Sequence, residues 1–551
     1  MSKNFRFHGW TSIVLLAVCG MMGAVFHEPK KALAARPRRS EERGILRVAY
    51  TQRLLPDPHW RQPPLAQYNQ LMLSLWEPLI ECDPATSQPR PAAAEGWSWS
   101  PDRLTLTLQL RRDARWSNGD PVTAHDFVRG WLRLLHQKMD VAVTLFALKN
   151  AEAYTQGKLK DVKEVGLQAV DDYTLKLTLN QPRATLVVEL ADPLLSPLHV
   201  TSEKVLASQA YLTTPAALVT NGPFRLAWAN DDGFRLEASP YYRDFADVRL
   251  AGISFVRAGN PSLAQLLVAA GAADLFAPTP YGESREAPTD RQIRLESELE
   301  LTVSSLDFNV TREPLRNVRV RQALALALHR AEPIKKYDPG HMVAAWSWVP
   351  SMPGRAGLTL LKEDATEARR LLAEAGYPGG RGFPVLRLAL PLWMYSDPFP
   401  SAWSEQWFRE LGVKTYIAYE SPAQRAARMK TGDYDVLCNS LIATVPDASD
   451  LLGIFLWPAE FSGTKWSDKE VAALLAEANT KTGEEHFAAL AKAERRIMAA
   501  VPSVPVMFER RQTMVAAEVQ GWYPDPLARQ ALKRLWLDAS TALELRRDPT
   551  L

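Results

Sequence analysis

The side chains able to do covalent or metal chemistry are few and scattered. Nine His and three Cys are spread over 551 residues. No Gly-x-Ser-x-Gly elbow presents a nucleophile, and no glycine-rich loop opens a helix to cradle a phosphate. His125 and His136 fall on one predicted helix, but not at the spacing that lets two imidazoles share a zinc ion. Asp447 and Asp450 are close in sequence; such a carboxylate pair is more often a helix cap or a solvated loop than an acid/base dyad. Triads assemble from distant residues, so a secreted hydrolase stays open as a weak reading. No cofactor and no metal is expected. The net charge of +3 and the dispersed basic residues give no footprint for nucleic acid. The 17 Trp and 40 Pro point instead to large flat apolar surfaces, in cores or ligand clefts, and to many fixed turns.

The elements that must position any site are α/β throughout. A chain this long exceeds one compact core, so two or more lobes are expected. Ile45–Tyr50 reads as a first strand, and the apolar stretch 71–80 ends in Trp76-Glu77-Pro78-Leu79-Ile80. Leu104, Leu106, Leu108 and Leu110 alternate with polar residues, the period of a half-buried strand. Asn118-Gly119 marks a turn, and Thr123 with Asp126 three residues on starts a helix whose face carries Phe127, Trp131, Leu134 and Leu135. Tyr173 to Leu179 alternates again, and Phe224 to Leu236 reads as a hairpin. From residue 301 onward strands and helices alternate. They include a helix capped by Asp364 and stopped at Gly376, strands at 303–309, 386–390, 413–419, 434–442 and 504–508, and a helical stretch 471–497 broken near Gly483.

The N-terminus reads as an export signal covering 1–35. Lys3 and Arg6 precede an almost uncharged run from Trp10 to Phe26, and Ala32-Leu33-Ala34 offers a small-x-small cleavage site. Cleavage near Ala34, lipid attachment at Cys19 and a retained anchor all place the globular part outside the cytoplasm, in the periplasm or at the cell surface. Only Cys82 and Cys438 then remain, too few for a disulfide scaffold. Two buried thiols or one bridge both fit their number.

Six segments, in order, resemble the family 5 extracellular solute-binding proteins of ABC importers, the oligopeptide- and dipeptide-binding group. They are Trp116-Ser117-Asn118-Gly119-Asp120-Pro121-Val122-Thr123-Ala124-His125-Asp126-Phe127, Thr220-Asn221-Gly222-Pro223-Phe224, Phe308-Asn309 with Val318-Arg319-Val320-Arg321-Gln322-Ala323-Leu324, Ala368 to Pro378, Gly432-Asp433-Tyr434-Asp435-Val436, and Ala493-Glu494 to Val506. The resemblance covers nearly everything after Ile45. It implies the large type II periplasmic binding protein fold, with a first lobe from 44–83, 200–298 and 510–545, an inserted β-rich subdomain at 84–199 and an α/β second lobe at 299–509. It also implies a monomer that holds a peptide ligand between its lobes and delivers it to ABC permease subunits in the membrane.

In that family the peptide backbone pairs with strand-like segments of the protein. The matching positions are Trp76, Glu77, Pro78 and Leu79, with Asn221, in the first lobe. In the second they are Cys438, Asn439, Ser440, Leu441 and Ile442, with Trp407 in a pocket or in the core. The Asp that holds a peptide ammonium in relatives is replaced by Thr444, and Asp447 stands nearby as a substitute. The departure leaves a second reading open, in which the same fold takes a non-peptide solute such as a metal chelate or sugar, or serves as a ligand sensor.

Overall fold

The computed structural model describes residues 44–538, apart from 53, 60–64, 139 and 278–291. The export signal, Cys19 and the ends of the chain lie outside the described residues. The described chain forms two units, one from residues 44–298 and 511–538, the other from 299–510. The chain passes from one to the other inside two long strands, Ile293–Phe308 and Ser503–Ala516.

In the first unit Ile45–Tyr50 pairs in parallel with both Gly252–Arg257 and Leu275–Phe276. A parallel strand with neighbours on both sides is covered on both faces, and all of Ile45–Tyr50 except Arg47 is buried. Phe224–Asn230 and Gly233–Ala238 form the expected hairpin and extend this sheet. The alternating leucines build a separate antiparallel sheet of Ala94–Trp99, Thr105–Leu110, Thr174–Thr178 and Leu167–Asp171. Thr123 and Asp126 make the capping box of the helix Ala124–His136, which buries Phe127, Trp131, Leu134 and Leu135.

One stretch differs from its sequence reading. Leu65–Leu75 is an α-helix that leads directly into Trp76. Tyr68, Leu71, Met72 and Leu75 are fully buried at i, i+3, i+4 and i+7, and Gln67, Gln70 and Ser74 between them are buried too, so the helix is enclosed on more than its apolar face.

The second unit is a sheet in the order Thr415–Glu420, Leu386–Pro391, Val436–Ile442, Ile293–Phe308, Ser503–Ala516, with Met342–Ala344 on the outer side of the last. Helices Val318–Leu326, Ala365–Glu374, Phe399–Leu411 and Gly483–Ala500 surround it. Its core gathers Leu306, Phe308, Leu324, Leu372, Leu388, Trp403, Trp407 and Val504. Truncating one such side chain to Ala costs about 2–5 kcal/mol.

Candidate functional site

The first-unit residues proposed from sequence come together, but as a closed structural knot. Gly222 lies so close to Leu75 and Trp76 that a Cβ there would sit 2.5 Å from the Leu75 carbonyl carbon. That approach lets the Asn221 amide bracket Glu77: Oδ1 accepts the Glu77 N–H at 3.0 Å and Nδ2 donates to its carbonyl at 2.9 Å. The next carbonyls are also taken, Pro78 by the Ala93 N–H and Leu79 by Ala92 and Ala94. Trp116 stacks edge-on against Trp76 with 6.3 Å between ring centroids, and Ser117 pairs with Thr220. Two of the sequence motifs therefore meet on Trp76-Glu77 and hold it. The expectation of an open strand edge at Trp76, Glu77, Pro78 and Leu79 is corrected, since all four are buried and the Glu77, Pro78 and Leu79 carbonyls serve the protein itself.

The Glu77 carboxylate is likewise committed. It accepts from the Tyr242 hydroxyl at 2.8 Å and pairs with Arg243, while Lys533 stands 3.9 Å away. Lys533 and Arg534 also pair with Glu81, at 3.1 and 2.9 Å. Beside these charges lies a cavity of about 40 Å³ lined by Trp76, Cys82, Tyr523 and Lys533. It suits a few waters and no peptide.

In the second unit Trp407 is fully buried. Its indole N–H donates to the Leu324 carbonyl at 2.9 Å and its ring packs near Phe308. It is a core residue, and the pocket alternative falls. Cys438 is buried against Met394 and is a free thiol, as is Cys82. Burial pushes the Cys438 thiol up to about 12.

Asn439 spans a polar layer beneath the strand. Its amide donates to Asp307 at 2.9 Å and accepts from Arg425 at 3.1 Å. Arg425 also reaches the Cys438 carbonyl at 2.6 Å.

Thr444 gives its N–H and hydroxyl to Asp450, at 2.5 and 3.0 Å. Asp447 is not a spare carboxylate. One oxygen caps Ala448–Leu452 through Ser449, and the other meets His486 Nε2 at 2.9 Å. Burial opposes its ionisation, yet the hydrogen bond and charge of His486 hold its carboxyl below the usual range. Asp447 as the substitute ammonium acceptor is corrected on that ground.

Among the described residues, what remains open is a strand edge. Val436–Ile442 pairs with Thr302 to Phe308 along its whole length on one side, but with Leu386–Pro391 on the other only at Val436 and Leu437. The Ala443 N–H donates to the Leu301 carbonyl. Antiparallel alternation then turns the N–H and C=O of Asn439 and Leu441 toward that partner and those of Ser440 and Ile442 away from it. Residues 439–442 are half-buried. Just past the end of Leu386–Pro391, Leu392 and Tyr395 are exposed, and Tyr395 meets Tyr419 edge-on at 5.1 Å.

Sequence reasoning weighed Asp450 only as half of an acid pair with Asp447, and it missed two further acids near this edge, Asp397 and Glu509. Asp450 holds the Thr444 turn. Asp397 accepts the Phe399 N–H on one oxygen at 2.9 Å, and its other oxygen is buried with no partner among the described residues. Glu509 is buried beside Ser304 and Ser440. Little in the sequence signals Glu509: it follows the apolar run Val504-Pro505-Val506-Met507-Phe508 but precedes Arg510 and Arg511, so it looks like the start of a charged surface stretch. Among the described residues no three His, Cys, Asp or Glu gather as a metal set, and no helix is long and apolar enough to cross a membrane.

Residues 88–463 match the family model described as bacterial extracellular solute-binding proteins, family 5 Middle. The chain is 26% identical over 469 residues to the dipeptide-binding protein DppE of Bacillus subtilis, covering 82% of this chain and 84% of that one. It is 28% identical over 472 residues to the probable deoxycholate-binding periplasmic protein YgiS of Escherichia coli, covering 82% and 86%. Among solved structures it resembles the unliganded open form of the periplasmic murein tripeptide binding protein MppA, with a TM-score of 0.79 at 23% identity over 91% of this chain and 98% of that one.

Proposed function

Because this chain belongs to family 5 of the bacterial extracellular solute-binding proteins, we propose that it captures short peptides outside the cytoplasm and hands them to the permease of an ABC importer. The observation that carries the reading is the unpaired edge at Ser440 and Ile442, which offers main-chain donors and acceptors to an extended guest. Backbone pairing of this kind supplies affinity without demanding one sequence. The protein acts as a monomer and performs no chemistry; ATP is hydrolysed by other subunits. Of the residues expected from sequence, Asn439, Ser440, Leu441 and Ile442 are the ones proposed to meet the ligand. The relatives named for dipeptides and for murein tripeptide support this.

The YgiS likeness favours one second reading, a non-peptide amphipathic solute. Titration calorimetry with a pooled tri- and pentapeptide library and with deoxycholate separates the two. Saturable peptide binding is expected. Binding of deoxycholate with none by any peptide would overturn the main reading.

A further inference from the structure

Glu509 is 3% exposed, yet among the described residues no Lys or Arg pairs with it. Among the described residues its carboxyl is hydrogen-bonded only by the Ser304 and Ser440 hydroxyls, at 3.3 and 3.4 Å. Both are far longer than the roughly 2.5–2.7 Å of a good O–H···O⁻ contact. As an anion, a buried carboxyl this poorly served is expensive unless a proton or a cation neutralises it.

A second observation lies on the same face of the sheet. Ser304 stands opposite Ser440, and Thr302 opposite Ile442. Alternation puts Thr302 on the same side as Ser304. The Thr302 hydroxyl is buried, at 1% exposure, and has no hydrogen-bond partner among the described residues. Asp397 adds the unpartnered oxygen already described. Burial, together with the charges of Glu300 and Asp397, pushes the Glu509 carboxyl up to about 8. An unfilled hydroxyl and two under-served acids are what a cation-binding position looks like before its cation arrives.

We propose that Glu509, with Asp397 beside it, accepts the primary ammonium of a ligand lying along the open edge at Ser440 and Ile442. The hydroxyls of Thr302, Ser304 and Ser440 complete the shell. This replaces the acid absent at Thr444 by one reaching the strand from the neighbouring chain segment. It rests on the peptide reading and narrows it to ligands with a free amino terminus. It also disfavours a carboxylate ligand at this point, since two acids would face it.

The test uses the whole protein and the tightest member of the tri- and pentapeptide library, prepared with a free and with an acetylated N-terminus. Charged hydrogen bonds are worth about 1.5–3 kcal/mol, so acetylation is expected to weaken wild-type binding about 10- to 100-fold. Glu509→Gln is expected to lose a similar factor for the free peptide and almost nothing for the acetylated one. The two changes are then non-additive, as for groups that touch. Ser440→Ala, a smaller change, gives the same pattern more weakly if Glu509→Gln fails to fold. Equal wild-type affinity for both peptides, or an equal loss for both in Glu509→Gln, overturns the inference and leaves peptide binding standing. If no peptide binds in either form, both readings fall.

Discussion

Replacing Glu77 by Gln separates a structural acid from a ligand-binding one. The change keeps shape and one acceptor but removes the charge that faces Arg243 and Lys533. Arg243 has side-chain exposure of 6% and Glu77 of 5%, so water cannot compensate. Removing one member of a buried pair costs about 3–5 kcal/mol, because the survivor stays buried and charged. Asp244, 3.1 Å from Arg243, offsets part of this, which places the expected loss near the lower end, at about 3 kcal/mol. Glu77→Leu alone should cost as much or more. Glu77→Leu combined with Arg243→Met should recover most of the loss, because neither charge is then stranded. Urea unfolding followed by circular dichroism gives the three values, and peptide titration on the same samples gives affinity. A loss below about 1 kcal/mol in Glu77→Gln, with a large fall in peptide affinity, would refute the argument and return Glu77 to the binding site.

Glu509 makes stability depend on pH. Its carboxyl is raised from 4.5 to about 8 by burial and by Glu300, so between those values the native state holds a proton that the unfolded state has released. Stability therefore falls as pH rises through that window, by up to about 1.4 kcal/mol per unit. Glu509→Gln should flatten the decline in Tm and exceed wild type above pH 8; parallel curves would sink this account. His486 shows the same direction for a different reason. Burial disfavours its charge, but the hydrogen bond to Asp447 and its charge raise it above 6.5. Its contribution is complete below about 6.5 and is lost as pH climbs through the higher folded value, while Asp447's is lost on acidification below about 3.8. His486→Gln on a Glu509→Gln background should remove the remaining alkaline fall in Tm. Gly222→Ala should destabilise by a few kcal/mol, because its new methyl meets backbone that cannot rotate away; a change below about 0.5 kcal/mol in urea unfolding would contradict the knot at Trp76-Glu77.

Local patterns were legible where one face of an element is buried and the other wet. The leucines at 106, 108 and 110, the Thr123–Asp126 box and the stop at Gly376, with φ of +97°, needed no knowledge of the rest of the chain. The strand Ile293–Phe308 was readable only from Val303, because its earlier part carries Arg294, Glu296 and Glu298 and looks like surface. Glu298 is in fact buried and paired with Arg511, more than two hundred residues away, and no local window contains that partner. The site suffered in the same way. Asn221 looked like a ligand contact because a motif contains it, whereas its amide substitutes for a missing strand at Glu77. Ser440 and Ile442 owe their availability to where Leu386–Pro391 stops pairing, a property of strand order that residue types do not carry. Asp447 and Thr444 were judged by sequence position alone, and the side chains that fix them internally, His486 for Asp447 and Asp450 for Thr444, lie outside that comparison.

The second unit is one uninterrupted stretch of chain, 299–510, set inside a first unit that is split around it. A single gene-level exchange with two breakpoints could therefore swap the whole of that stretch, carrying the open edge and its acids as a cassette. Guest preference could change in one recombination event while the knot at Trp76-Glu77 is inherited untouched.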